Sequence, residues 1–195
     1  LKRAVSAIRT WSRGVDTELF RPRPKTCFDL PRPIFLYVGR VAVEKNIAAF
    51  LDLGLPGSKV VIGEGPLLAS LRRRYPEVTF TGAKTGEDLA RHFASDDVFV
   101  FPSRTDTFGL VLLEALASGL PVAAFPVPGP LGVVNGAPVD CLDLDLAAAC
   151  RNALDIPAES CRAYALTFSW VACAAQFLEN LYPQPDTGPK TAGQT

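Results

Sequence analysis

The sequence predicts an α/β domain built on a doubly wound, Rossmann-like parallel sheet, and three observations carry that expectation. Five short apolar runs alternate with amphipathic stretches between residues 34 and 124. The runs are apolar nearly throughout, as in strands covered by helices on both faces, and lack the alternation of a half-exposed strand. The connections are long enough to hold helices, which parallel neighbours require. With 195 residues, 48% hydrophobic and 21% charged, the chain has the size and balance of one domain with a full core.

Residues 1–33 come first, and basic side chains outnumber acidic ones there. Pro22, Pro24, Pro31 and Pro33 remove backbone donors and fix φ, so the stretch is expected as an extended linker from a missing N-terminal domain. The domain proper is expected over 34–182. Its first strand is Ile34–Val38, made of β-favouring Ile, Phe, Tyr and Val with one Leu. A helical pattern over 46–53 leads to a second strand at 59–62, and another over 67–75 leads to a third at 78–80. The pattern over 87–94 opens with acids, as a helix start should, and precedes the strand Val98–Phe101. The helix over 108–118 is almost wholly apolar and stops at Gly119, ahead of the strand Val122–Ala124. Past about residue 140 the pattern turns helical over 144–154, 157–166 and Trp170–Leu181. The tail 183–195 is rich in Pro, Gly and Thr with no apolar anchor, and is expected to be disordered.

Composition narrows the function. Twenty Lys and Arg balance twenty Asp and Glu, and this neutrality argues against a nucleic-acid partner. No apolar run reaches the roughly 18–20 residues of a membrane-spanning helix. The chain opens on Leu1 and contains no Met, so it is expected to be a piece of a longer protein. Cys27, Cys141, Cys150, Cys161 and Cys173 form no C-x-x-C pair, and His92 is the one histidine. These thiols are expected to be reduced and packed as small apolar groups in a cytoplasmic protein, with no metal site.

Ligands of open parallel sheets sit outside the carboxyl ends of the strands. The five turns on that rim are Gly39 to Lys45, Gly63 to Pro66, Thr81 to Lys84, Pro102 to Gly109 and Pro126 to Gly129, and each contains glycine. In the first turn, Arg40 and Lys45 suit a diphosphate, with Arg able to fork across two oxygens. A solvated loop partly neutralised by Glu44 is the plainer alternative. Gly63-Glu64-Gly65-Pro66 lacks the third glycine of a dinucleotide fingerprint, and either touches a ligand or only shapes the rim. The fourth turn carries the strongest signal. Backbone N–H groups near Phe108, Gly109 and Leu110 suit an anion. Glu114 lies about five residues beyond the helix start, roughly 8 Å along the axis. That is about the reach from a phosphate to the ribose of one nucleotide, and a carboxylate among apolar neighbours needs a partner. An exposed surface acid is the alternative.

Two other features are set aside. Asp143-Leu144-Asp145 opens a helix, where acids serve as caps and first-turn residues, so it is not read as a metal motif. His92 is expected on a helix surface. In the last helix Trp170, Val171, Ala174, Phe177, Leu178 and Leu181 form an apolar stripe. It either closes the core of this domain or is left partly exposed.

Taken together, Gly39-Arg40 with Glu44-Lys45, Gly63-Glu64-Gly65-Pro66, and the block from Ser103-Arg104-Thr105-Asp106-Thr107-Phe108-Gly109 through Leu113-Glu114-Ala115 to Val122 resemble the donor-binding C-terminal half of a GT-B, family-4-type retaining glycosyltransferase (glycosyl transferases group 1). The resemblance covers roughly residues 12–181, and Trp11 to Pro22 is similar to the family's interdomain junction. It implies a nucleotide-sugar donor, GDP- or UDP-linked, no cofactor and no bound metal. It also implies an acceptor site on the missing N-terminal domain, through which alone the inner face of the membrane would be met. By the same resemblance Arg40, Lys45 and Asp106 are the catalytic set: Arg40 and Lys45 hold the diphosphate and Asp106 the sugar. Glu114 holds the ribose, and Gly39, Gly63, Gly65, Ala83, Phe108, Gly109 and Leu110 complete the donor contacts. Asp106 stands where the family commonly has Glu, one methylene shorter with the charge kept. The fifth turn departs from the family's commoner Gly-Gly. A nucleotide-sugar epimerase of the same architecture and a non-catalytic nucleotide-sugar sensor are the rival readings.

Overall fold

The computed structural model describes residue 11 and residues 13–106 and 109–181. The expected disordered tail and the donor contact assigned to Phe108 therefore lie outside the described residues. Five strands, β1 (Ile34–Val38), β2 (Ser58–Ile62), β3 (Thr79–Gly82), β4 (Val98–Phe101) and β5 (Val122–Ala124), form one parallel sheet in the order β3-β2-β1-β4-β5. Leu36 is paired with Val60 on one side and Phe99 on the other, which makes β1 and β4 the central neighbours.

The apolar runs have two destinations because successive strand side chains point to opposite faces. Ile34, Leu36, Val60, Ile62, Phe99 and Phe101 enter one core cluster, while Phe35, Tyr37, Val61, Val98 and Val100 enter the other. The helices divide in the same way. On the first face pack α3 (Gly86–Ser95), α4 (Leu110–Ala117), α5 (Pro128–Val134) and α7 (Ala158–Leu166), through Phe93, Leu112, Leu116, Val133 and Cys161. On the second pack α1 (Ile47–Leu51), α2 (Leu68–Arg74) and α6 (Leu146–Ala153), through Ile47, Phe50, Leu71, Ala149 and Cys150. The last helix, α8 (Trp170–Leu181), buries only Cys173.

Three expectations are corrected. Helix α5 begins inside the fifth turn, at Pro128, where a loop was expected. Pro128 and Pro130 lie in its first turn, whose N–H groups have no helical partner in any case, so both are tolerated. His92 is buried, not on the surface: its Nδ1 lies 2.7 Å from the Asp88 carbonyl and its ring meets Phe28 edge-on. The stretch read as an extended linker is laid along the domain over residues 13–33. Val15 and Phe20 join the core, and the Val15 N–H donates to the Phe168 carbonyl at 2.8 Å. The Arg162 guanidinium clamps this stretch by donating to the carbonyls of Thr17, Phe20 and Ala117. Four of the five thiols are buried, and burial pushes those of Cys150 and Cys161 up to about 12.

Candidate functional site

The connection after β1 passes to α1 on one face of the sheet, while that after β4 passes to α4 on the other. Neighbouring strands whose connections part in this way leave a crevice at their carboxyl ends. A cleft of about 450 Å³ opens there, lined from the β1 side by Tyr37, Gly39, Arg40 and Lys45 and from the β4 side by Ser103, Asp106, Gly109 and Leu110. A shallower hollow of about 270 Å³ continues it over β2, sharing Val38, Gly39 and Arg40 and adding Gly63, Glu64, Ala83 and Lys84. A larger hollow of about 610 Å³ lies at the opposite ends of the strands, against Asp96, Asp97 and Pro121. None of the sequence-predicted site residues lines it.

The β1 turn is shaped by its neighbours. Gly39 donates its N–H to the Ile62 carbonyl and Val41 to that of Glu64, so the first and second turns are bonded backbone to backbone. At Gly63 φ is +144°, and a Cβ there would fall 1.9 Å from the Gly39 carbonyl oxygen. Only glycine permits that approach. Gly65 plays the same part against the Val41 carbonyl and lines neither hollow. The Tyr37 hydroxyl donates to the Arg40 carbonyl at 2.8 Å, fixing the turn from below. Burial raises the Tyr37 phenol, and the charges of Asp106 and Glu44 raise it further, so it remains a donor. Tyr37 and Ser103, the latter 1% exposed, were missed by sequence reasoning. Both close apolar strands or their ends, so neither stood out as polar site residues.

Three contacts tie the β1 turn to the β4 turn. The Asn46 side-chain amide donates to the Pro102 carbonyl at 3.0 Å, and the Thr105 hydroxyl to the Glu44 carbonyl at 3.3 Å. The third is an ion pair, Lys45 Nζ to Asp106 Oδ1 at 2.5 Å. Burial raises the Asp106 carboxyl, but hydrogen bonding to the Lys45 ammonium and to Ser103, with the Lys45 charge, outweighs it and holds the group below its usual range. Its Oδ2 is buried and has no hydrogen-bond partner among the described residues. Arg40 is paired too, with Glu44 at 3.2 Å and well exposed.

Helix α4 starts where Gly109 takes φ of +78°, and Gly109, Leu110 and Val111 at its start line the cleft. Glu114 does not line that cleft. It lies one helical turn past Leu110, about 6 Å along the axis, half-buried with its carboxyl raised by burial. Sequence therefore placed Glu114 correctly on the helix, while the helix begins two residues later than expected. Asp145 caps α6 by accepting from the Ala147 N–H at 2.9 Å, the capping role read for the D-x-D.

Comparison with known proteins gives this geometry its relatives. The sequence pattern described as glycosyl transferases group 1 matches residues 32–155. A sulfoquinovosyl transferase of Arabidopsis thaliana is 37% identical over 134 residues, covering 62% of this chain and 26% of its own. A GDP-mannose-dependent alpha-mannosyltransferase of Mycobacterium tuberculosis is 37% identical over 143 residues, covering 69% of this chain and 38% of its own. The chain thus spans well under half the length of these two relatives. Among solved structures, Anabaena HepE in complex with UDP and glucose superimposes with a TM-score of 0.70 at 19% identity, over 90% of this chain and 57% of its own. Sucrose-phosphate synthase of Thermosynechococcus elongatus gives 0.69 at 28% identity, over 88% and 51%. With the sheet order, the glycine-bonded turns and the block from Ser103 to Val122 all within the matched region, the chain belongs to the glycosyl transferases group 1 family.

Proposed function

We propose that this chain binds the donor of a glycosyltransferase, a sugar linked to a nucleoside diphosphate, and that the sugar passes to an acceptor with retention. The observation that carries the reading is the meeting of Arg40 and Lys45 from the β1 turn with Asp106 and the start of α4 from the β4 turn, in the crevice between β1 and β4. Breaking a sugar–phosphate bond places negative charge on the departing diphosphate. Two cations and the positive end of a helix stabilise that charge as it develops. The buried Oδ2 of Asp106 would accept from sugar hydroxyls, and Glu114, deeper along α4, from the ribose. The base would lie over the Gly63, Glu64, Ala83 and Lys84 hollow.

The GDP-mannose-dependent relatives and the UDP-bound Anabaena structure support a guanine or uracil nucleotide as donor. Acceptor recognition belongs in this reading to a further domain, and the chain works in the cytoplasm. Titration calorimetry of the chain with GDP and UDP tests it. One of the two should bind, and Lys45→Ala should weaken that binding by about 1.5–3 kcal/mol, the value of a hydrogen bond to a charged group. Absence of binding by both nucleotides would sink the proposal, and an unchanged affinity in Lys45→Ala would remove Lys45 from the site.

A further inference from the structure

Both cations of the proposed diphosphate seat are already occupied. Lys45 Nζ lies 2.5 Å from Asp106 Oδ1, and Arg40 Nη1 lies 3.2 Å from Glu44 Oε1. Two positive and two negative side chains cancel, so an arriving diphosphate meets a seat with no net charge until carboxylates withdraw. We propose that donor binding here is an anion exchange, in which Glu44 and Asp106 hold the cations while the seat is empty, yield them to the diphosphate, and take them back to expel the nucleoside diphosphate after transfer. The inference rests on the reading of this cleft as a diphosphate site and adds Glu44 as a positioning residue that lowers nucleotide affinity and hastens release.

The two pairs are built differently, and the difference orders the exchange. The Arg40–Glu44 pair is open to water, with side chains 65% and 50% exposed, so separating it costs little. The Glu44 backbone is nevertheless held, since its carbonyl accepts from the Thr105 hydroxyl and the three residues Val43–Lys45 form a single 3-10 turn. Only its side chain needs to swing. The Lys45–Asp106 pair is less exposed, at 28% and 23%, and bridges the two turns across the crevice. When Lys45 turns to a phosphate oxygen, Asp106 loses a charged partner while its second oxygen already lacks one among the described residues. An unpartnered buried acceptor is costly, and sugar hydroxyls would compensate both oxygens. Exchange at Lys45 is therefore more favourable with a complete nucleotide sugar than with the bare diphosphate that remains once the sugar has left. Release of product commonly limits turnover in enzymes, and returning carboxylates would speed it.

The test uses the 195-residue chain and three proteins: wild type, Glu44→Gln and Lys45→Ala. Each is titrated with GDP and UDP by calorimetry, and nucleotide dissociation is timed by stopped flow. Glu44→Gln should bind the accepted nucleotide about three- to ten-fold more tightly than wild type, as expected from removing one like charge a few ångströms from the phosphates. It should also release that nucleotide more slowly. The gain should shrink as salt rises from about 50 to 500 mM, because the residue is exposed. Lys45→Ala should move in the opposite direction. Equal or weaker binding by Glu44→Gln, with wild type binding normally, overturns the exchange while leaving the diphosphate reading intact. Failure of wild type to bind either nucleotide overturns the diphosphate reading itself, and the exchange with it.

Discussion

Asp96 and Asp97 stand side by side at the foot of β4 in very different surroundings. The Asp97 carboxylate accepts from Lys25, from Arg32 and from the Ile34 backbone N–H at 2.7 Å. Burial raises its carboxyl, but these partners outweigh that effect and leave it below the usual range. Asp96 is 1% exposed, and neither of its oxygens has a hydrogen-bond partner among the described residues. Burial, reinforced by the Asp97 charge, pushes its carboxyl up to about 8. In the unfolded chain the same group ionises near 4. Between about pH 4 and 8 the folded state therefore holds a proton that the unfolded state has lost, and stability falls as pH rises through that window. Asp96→Ala removes the effect. The variant should be more stable than wild type by about 1–3 kcal/mol at pH 8, and by clearly less at pH 5. Urea unfolding at the two pH values is the measurement, and an equal gain at both would show that Asp96 does not titrate as described.

At the scale of elements, the strands were legible because their cause is local. A parallel strand buried on both faces must be apolar along its length, and β1, β4 and β5 fall on the predicted residues. Helix α5 was not legible, since its prolines and glycines carry the signature of a turn and only packing of Val133 and Val134 into the core makes the segment helical. The stretch 13–20 misled in the opposite direction. Its attachment depends on Arg162 of α7, whose guanidinium gathers three carbonyls from that stretch and from the end of α4. Arg162→Met keeps the apolar stem and removes the donors. It should lower stability by about 1.5–3 kcal/mol and expose residues 13–20 to protease. Unchanged urea midpoints and digestion patterns would mean that the clamp contributes nothing.

For the whole molecule the most exposed apolar surface among the described helices is α8. Trp170, Val171, Phe177, Leu178 and Leu181 are between 40% and 82% exposed, and Trp11 extends the patch by lying 4.9 Å from the Phe177 ring. The Trp11 indole N–H donates to the Cys173 carbonyl of this helix at 3.0 Å. An apolar stripe of this kind on a monomer invites association. The isolated 195-residue chain should sediment faster as its concentration rises, and the double variant Val171→Glu, Leu178→Glu should not. A wild-type chain that stays monomeric over the whole range would count against an adhesive stripe.

Sequence by itself determined the α/β class, the near positions of all five strands, and the rim on which the glycine turns gather. Each of these follows from short-range patterns of apolarity and backbone freedom, which a linear reading captures. It also named Arg40, Lys45, Asp106 and Gly109, which the fold brings to one cleft. What it could not supply were the partners. Lys45 and Asp106 are 61 residues apart and meet only because β1 and β4 are neighbours in the sheet. The pairing of both cations, the burial of Asp96 and His92, the place of Tyr37 beneath the first turn and the distance of Glu114 from the cleft were decided by tertiary structure. Charge pairing and burial depend on which strands lie side by side, and strand order is a property of the packed sheet and not of any one segment.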